Sequence, residues 1–382
     1  MLELTSQSNR IDVNLVDVNL AKIVKPSSRL HLSRRVLLFV LAAVFLLGLF
    51  GCKGSGRRVL EVNYVSVAEA MLRDRVATVY NHVGTVKNGE RVEVLEREKR
   101  FSRVRTASGV EGWIEQRYLV DQQTYDSLQK LTQDNLNDPV QSPGVVRNET
   151  NLHITPSREA EHLYQLPSGA RVSVLKRAAA EKQLGAAPEP ARIGGKIESK
   201  APTKTSGGRA SPGPLLEDWW LVRDAGNRVG WVLARMVDLD VPLDIAQYAE
   251  GQRIVAFFAL NQVQDTGKEG SGKNVSQYLC VLTEPHDGLP YDYDQIRVFT
   301  WNVKKHRYET AYREHGLNGV LPVTVTSENF DKEGVLPVFI LRVRDDSGNV
   351  SERKYKLNTP IVRRVLAPGE QKQAPPHTKH RR

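Results

Sequence analysis

Two stretches of the chain alternate apolar and polar residues in nearly the same way. Gly89 begins the string GERVEVL and Gly169 begins GARVSVL, so valines occupy alternate positions after each glycine. Because successive side chains of a strand point to opposite faces, these valines form a buried face while their polar neighbours face water. Each string therefore predicts a half-buried β-strand that begins after a glycine turn.

Two further anchors repeat around these strings. A leucine lies seventeen residues before each glycine, at Leu72 and Leu152. A Val-Arg pair also precedes a Gly-Trp pair at the same distance in each copy, before Trp113 and before Trp231. Anchors at equal spacings indicate an internal duplication. Short strands separated by turn residues then predict a small antiparallel barrel for each copy.

The repeated pattern resembles the bacterial SH3-like (SH3b) family, in which a G-x-x-V-x-V-L strand is followed by W-x-x-V and G-W-V strands. The resemblance implies one SH3b domain over 62–121 and a second over 144–240. A linker at 122–143 is expected to contain a short helix. The second copy carries an insertion at 178–216, which is rich in Ala, Pro, Gly, Lys and Ser and is expected to be disordered.

The SH3b resemblance implies binding, of cell-wall peptide or of another envelope ligand. Exposed aromatic residues near the loops would make the contacts, and the candidates are Trp219, Trp220, Tyr118 and Tyr164. Because Trp219 and Trp220 are adjacent, they point to opposite faces of a strand. One of the two is therefore expected in the core and the other at the surface.

The last third of the chain, 252–366, consists of short apolar stretches separated by turn residues. Eight strands are predicted: Ile254–Val263, Gln277–Thr283, Ile296–Val303, Tyr308–Tyr312, Val320–Thr326, Val335–Val343, Ser351–Leu357 and Ile361–Val365. This pattern predicts an antiparallel β-meander, closed as a barrel or folded as a sandwich. The fold class is therefore all-β, with one hydrophobic helix near the start and a disordered basic tail at 367–382.

An apolar run, Val36–Phe50, follows two arginines and ends at Gly-Cys52. Its length is typical of a signal-peptide core, because a transmembrane helix needs about 20 apolar residues. The Leu-Phe-Gly-Cys ending resembles a bacterial lipobox, which implies that 1–52 is an export signal with a long N-terminal arm and that Cys52 is lipidated. The alternative is an uncleaved membrane anchor.

Both alternatives place the remainder of the chain in the cell envelope, facing the periplasm or the exterior, because basic residues precede the apolar run. The Arg-Arg pair also resembles a twin-arginine signal, although the very hydrophobic run favours the general secretion route. The net charge of +10 is spread over the termini and the low-complexity segments. A nucleic-acid partner is therefore not expected.

Candidate catalytic chemistry is limited to Cys280, which lies in the apolar string Tyr-Leu-Cys-Val-Leu. Burial in a strand raises the pKa of a thiol, so a reactive thiolate is not expected there. The histidines that follow it share no motif, and no nucleotide-binding, zinc or metalloprotease motif occurs. No metal and no cofactor are expected.

These observations predict a non-catalytic envelope lipoprotein whose SH3b modules bind cell-wall peptidoglycan or an envelope protein. Its membrane contact would be the lipid anchor or the N-terminal helix. The alternative is a structural or assembly protein of the cell envelope that does not bind peptidoglycan. An enzyme would need Cys280 to act on cell-wall fragments.

Overall fold

The computed structural model describes residues 57–182, 214–266 and 272–366. The predicted signal with Cys52, most of the predicted insertion and the basic tail lie outside them. Nowhere in these three ranges is a helix long and apolar enough to cross a membrane. The described strands form three antiparallel sheets, which confirms the all-β fold class.

The first sheet has seven strands. They are β1 (Glu61–Val65), β2 (Glu69–Arg73), β3 (His82–Lys87), β4 (Arg91–Glu98), β5 (Phe101–Thr106), β6 (Glu111–Glu115) and β7 (Leu119–Asp121). Their order across the sheet is β3-β2-β6-β5-β4-β1-β7. A 3-10 helix, Gln116–Tyr118, connects β6 to β7. The alternating Val92 and Val94 are fully buried in the core of this sheet, as their pattern predicts.

The second sheet also has seven strands. They are β8 (Ser142–Val146), β9 (Thr150–His153), β10 (His162–Leu166), β11 (Arg171–Glu181), β12 (Leu216–Asp224), β13 (Val229–Leu233) and β14 (Val237–Leu239). Their order is β10-β9-β13-β12-β11-β8-β14, which is the order of the first sheet strand for strand. A 3-10 helix, Ala234–Met236, again precedes the last strand.

The repeated leucine and glycine anchors touch each other in both sheets. A Cβ added to Gly112 would lie 2.7 Å from Cβ of Leu72, and one added to Gly230 would lie 2.6 Å from Cβ of Leu152. Only glycine permits such a close approach of neighbouring strands. The anchors that recur along the sequence are therefore the residues at which the strands come closest.

The predicted bounds of the insertion are wrong at both ends. Strand β11 continues through Ala178 to Glu181, where it pairs with the start of β12 at Leu216. The two strands thus form a longer hairpin than β4 and β5, whose last pair is Glu98 with Phe101. Backbone pairing extends the strands into residues whose composition alone suggests a loop.

Helix α1 (Gln122–Asp134) connects the first two sheets, and it confirms the predicted linker helix. Its N-terminus is capped by Asp121, whose carboxylate accepts a hydrogen bond from the Thr124 N–H at 2.8 Å. The ring of Tyr125 stacks on Tyr64 of β1 with centroids 4.0 Å apart. The helix therefore packs on the first sheet, and its own Leu128 is buried.

Two short helical segments follow the second sheet: α2 (Leu243–Ala246) and a 3-10 turn, Gln247–Ala249. The third sheet then has seven strands in sequence order. They are β15 (Arg253–Asp265), β16 (Lys273–Thr283), β17 (Tyr293–Asn302), β18 (Arg307–Asn329), β19 (Val335–Arg344), β20 (Val350–Asn358) and β21 (Ile361–Val365). The predicted meander is present as one sheet.

The break predicted between the strands Tyr308–Tyr312 and Val320–Thr326 is wrong, since β18 continues through Gly319 as one long strand. The ring of Tyr293 on β17 occupies the space beside this glycine, and an added Cβ would lie 2.1 Å from it. The Tyr293 hydroxyl donates to the Arg342 carbonyl at 2.9 Å. Gly319 thus accommodates a buried ring and does not end a strand.

A buried ionic network joins the second sheet to the third. The Asp218 carboxylate on β12 is fully buried, and it accepts hydrogen bonds from Arg177 and Arg253, each at 2.6 Å. The Gly288 N–H donates to the same group at 3.0 Å. Burial alone would raise the pKa of Asp218, but these donors and charges outweigh it and hold the pKa below its ordinary value.

Replacing Asp218 by asparagine should lower the free energy of unfolding by about 3–5 kcal/mol, because the nearly buried Arg177 loses its main counter-charge. The matched control is Asp238→Asn, which removes the exposed pair with Arg147 and should cost about 0–1 kcal/mol. Thermal and denaturant unfolding measure both. Equal losses would contradict the role assigned to the buried pair.

The network also sets a pH dependence. A carboxylate with a lowered pKa stabilises the fold above its unfolded pKa of about 3.9. That stabilisation is lost as the pH falls below this value. The free energy of unfolding of the Asp218→Asn chain should therefore decrease less steeply with falling pH than that of the wild type.

Candidate functional site

A solvent-open groove on the first sheet lies between the β2–β3 loop and the β4–β5 turn. Its volume is about 580 Å³. The loop contributes Val76–Thr78 and the turn contributes Lys99 and Arg100, while Arg73 and Phe101 lie at the adjoining strand ends. The groove therefore exists because the β2–β3 connection is long and the β4–β5 connection is tight.

The guanidinium of Arg73 is held between two aromatic rings in this groove. Its Cζ lies 4.1 Å from the ring centroid of Tyr80 and 5.2 Å from that of Phe101. A Glu115 carboxylate oxygen lies 3.7 Å from the same guanidinium. A cation between aromatic faces keeps its charge and loses little freedom when it binds a ligand.

The groove is basic. Arg73, Lys99 and Arg100 line it, and no carboxylate is among the lining residues. Lys99 and Arg100 are exposed, and the Arg100 guanidinium also lies over Phe101, 5.4 Å from its centroid. Three cations beside an aromatic and aliphatic surface are suited to an anionic ligand with apolar parts.

The equivalent position in the second sheet is closed. Trp219 occupies the register position of Phe101 and His153 that of Arg73, and the two rings meet edge to face at 5.5 Å. Arg158 from the β9–β10 loop pairs with Glu217 at 2.7 Å. The pKa of His153 is lowered by burial, so its ring adds no charge at neutral pH.

The expected exposure of one of the two adjacent tryptophans is wrong. Trp219 is 1% exposed and Trp220 is 3% exposed. Strand β12 is covered on both faces: Trp219 packs against His153, while Trp220 is in the core cluster that also contains residues of the third sheet. Neither side chain offers a ligand surface.

The two tyrosine candidates lie elsewhere. Tyr164 is buried, with Arg228 over its ring at 4.4 Å and Gln129 donating to its hydroxyl at 3.4 Å. Tyr118 is half-buried in the 3-10 helix, where Arg117 donates to its hydroxyl at 2.9 Å. Neither of them lines the basic groove.

The groove residues Arg73, Lys99 and Arg100 were missed by the sequence analysis, because basic residues carry no periodic signal. A usable signal was nevertheless present. Phe101-Ser102 occupies the register positions that Trp219-Trp220 hold in the second sheet, so the aromatic argument applied to the first sheet would have selected Phe101.

Part of the first sheet matches a known protein family. The family model described as "Bacterial SH3 domain" matches residues 72–120. Residues 72–120 form a bacterial SH3 domain. The whole basic groove, from Arg73 to Phe101, lies within this SH3 domain. No curated protein matches the chain.

Solved structures that resemble the chain at low identity include three whose names contain NlpC. NlpC2 from Trichomonas vaginalis is 11% identical over 78% of this chain and 97% of its own, with a TM-score of 0.16. An NlpC/P60 family protein from Bacillus cereus is 10% identical over 78% and 95%, with a TM-score of 0.21. NlpC1 from Trichomonas vaginalis is 8% identical over 69% and 91%, with a TM-score of 0.15.

The prediction of a non-catalytic envelope lipoprotein is contradicted by these matches, which are to NlpC and NlpC/P60 family proteins. TM-scores of 0.15 to 0.21 carry no argument for a particular reaction in this chain.

Cys280 does not have the surroundings of a nucleophile. It lies on β16 with 1% exposure, packed among Leu282, Phe299 and Tyr308. Burial raises the pKa of its thiol to about 12, although Arg297 on the neighbouring strand acts in the opposite direction. The sequence-based expectation of a raised thiol pKa is therefore confirmed.

Cys280 should resist alkylation in the native protein. In a Cys52→Ser chain at pH 8, iodoacetamide should leave Cys280 unmodified, since only about one thiol in ten thousand is ionised at four pH units below the pKa. The same reagent should modify it completely in guanidinium chloride. Mass spectrometry measures both. Rapid stoichiometric labelling of the native chain would restore Cys280 as a candidate nucleophile.

Proposed function

We propose that the protein acts at the bacterial cell wall and that the groove of its SH3 domain binds the carboxylate-bearing peptides of peptidoglycan. The observation that carries this proposal is the open groove in which Arg73 is held between Tyr80 and Phe101. The bacterial SH3 match agrees with a cell-wall role. This binding role is compatible with a catalytic activity in another part of the protein.

Peptide carboxylates suit this groove for two reasons. The planar guanidinium of Arg73 can donate two parallel hydrogen bonds to one carboxylate. Lys99 and Arg100 add positive charge at the rim, where side chains remain in water and attract ligands over a distance. The Phe101 ring and Val76 give an apolar surface for the small side chains of such a peptide.

We also propose that 142–239 is a second copy of the SH3-type module. Identical strand order supports it, and so does one shared turn. Gly89 donates its N–H to the Val65 carbonyl, and Gly169 donates to the Val146 carbonyl, both at 2.8 Å and both from a positive φ. With its groove closed, this copy connects the ligand-binding SH3 domain to the third sheet.

Arg73→Ala should weaken binding of the full chain to purified peptidoglycan sacculi by about tenfold to a hundredfold, the usual value of a charge-assisted hydrogen bond at about 1.5–3 kcal/mol. Arg73→Lys should restore only part of the affinity, because lysine cannot bind a carboxylate bidentately. Co-sedimentation at two salt concentrations measures both, and added salt should weaken the wild-type interaction.

The matched control for this experiment is Arg91→Ala on β4. It removes the same charge from the same domain, at a side chain that is 52% exposed and pairs with Glu93 at 3.5 Å. Sacculus binding should be unchanged. Wild-type binding no greater than that of serum albumin, or equal losses in the two alanine variants, would refute the groove as the binding site.

We further propose that the protein is exported and tethered in the cell envelope through Cys52, on the support of the apolar run and its Leu-Phe-Gly-Cys ending. Cys52→Ser should abolish incorporation of labelled fatty acid in cells. Cys280→Ser is the matched control and should keep the label. Persistent label in the Cys52→Ser chain would exclude this lipidation site.

A further inference from the structure

A second pocket of the SH3 region lies beside the start of α1 and has a different character from the groove. Its volume is about 280 Å³. The β4–β5 hairpin contributes Arg97 and Ser102, while β1 and β7 contribute Asn63 and Asp121. Glu161 from the β9–β10 loop of the second sheet completes it. Its polar side chains therefore come from both sheets.

One buried group in this pocket has no partner. Asn63 is 7% exposed, and its side-chain oxygen, Oδ1, makes no hydrogen bond within the protein. Buried polar atoms are almost always paired, and one that is not marks a position where a ligand or water can donate. Asn63 lies directly opposite Asp121 on the neighbouring strand, so their side chains share one face.

The other charges of the pocket also favour a donor. Asp121 and Glu161 are carboxylates, and Glu161 is exposed with no ion pair among the described residues. The positive side chain, Arg97, already pairs with Glu61. The start of α1 carries partial positive charge, but Asp121 occupies that position as its cap. The Asn63 amide oxygen and two carboxylates are thus available to a donor, beside the side chains of Ser102, Gln116 and Thr124 that also line the pocket.

We propose that this pocket binds the protonated amino group of a peptide. Asn63 Oδ1 would accept one N–H of the ammonium group, and the carboxylates of Asp121 and Glu161 would supply its counter-charge. A pocket of about 280 Å³ holds the first one or two small residues of such a peptide. The proposal is independent of the carboxylate groove, because the two sites share no residue.

The test uses alanylalanine amide, which has a free amino group and no carboxylate, and its N-acetylated form as the neutral probe. Titration of the ¹⁵N-labelled full chain should shift the side-chain amide signals of Asn63 with the free amine. The acetylated probe should bind at least about tenfold more weakly, since it has lost the charge and two donors. Equal binding of the two probes, or binding of neither, would overturn the proposal.

Variants locate the site. Glu161→Gln should weaken binding of the free amine several-fold, while the matched control Glu159→Gln, two residues earlier in the same exposed loop, should not. Asn63→Leu should abolish binding, and circular dichroism with the thermal midpoint shows whether that chain is folded. Arg73→Ala in the groove should leave the amine affinity unchanged. Loss of affinity in the Glu159 or Arg73 variant would place the amine elsewhere.

Discussion

The carboxylate of Asp218, buried between two arginines, is the contact on which the arrangement of the second and third sheets depends. An uncompensated charge in that position would be costly, so the sheets must meet in the orientation that brings Arg177 from one and Arg253 from the other to the same group. The hydrophobic contact around Trp220 stabilises the association of the two sheets, but it is non-directional and does not fix their relative orientation. The ionic network therefore fixes how the two sheets are oriented.

Side-chain amides act in a similar way at both junctions between sheets. Asn88 donates to the Leu163 carbonyl at 2.7 Å and accepts from the Gln165 N–H at 3.2 Å. Gln141 donates to the Val323 carbonyl at 3.2 Å and accepts from its N–H at 2.8 Å. Each amide both donates to and accepts from the backbone of a strand, as a neighbouring strand would. The three sheets are therefore joined by directional hydrogen bonds that the hydrophobic pattern of the sequence does not predict.

The sequence predicted what depends on local pattern. The alternating valines around Val92, the Leu72–Gly112 anchor and the linker helix follow from period and spacing, and each is present. The burial of both Trp219 and Trp220 could not be predicted in this way, because it depends on which element covers the outer face of β12. Gly319 was misread for the same reason, since the ring that fills its space comes from another strand.

The two pockets of the SH3 region escape sequence reasoning because their residues are distant along the chain. Asn63 and Glu161 are brought to one pocket only when the second sheet packs beside the first. The β4–β5 hairpin lies between the two pockets, with Ser102 facing one and Phe101 facing the other. Since neighbouring residues of a strand point to opposite faces, a single short hairpin separates a basic groove from an acceptor-lined pocket.

In the second sheet the equivalent hairpin carries two tryptophans, which fill the space on both faces with buried ring atoms. The same strand order thus occurs once with an open groove and once with a closed one.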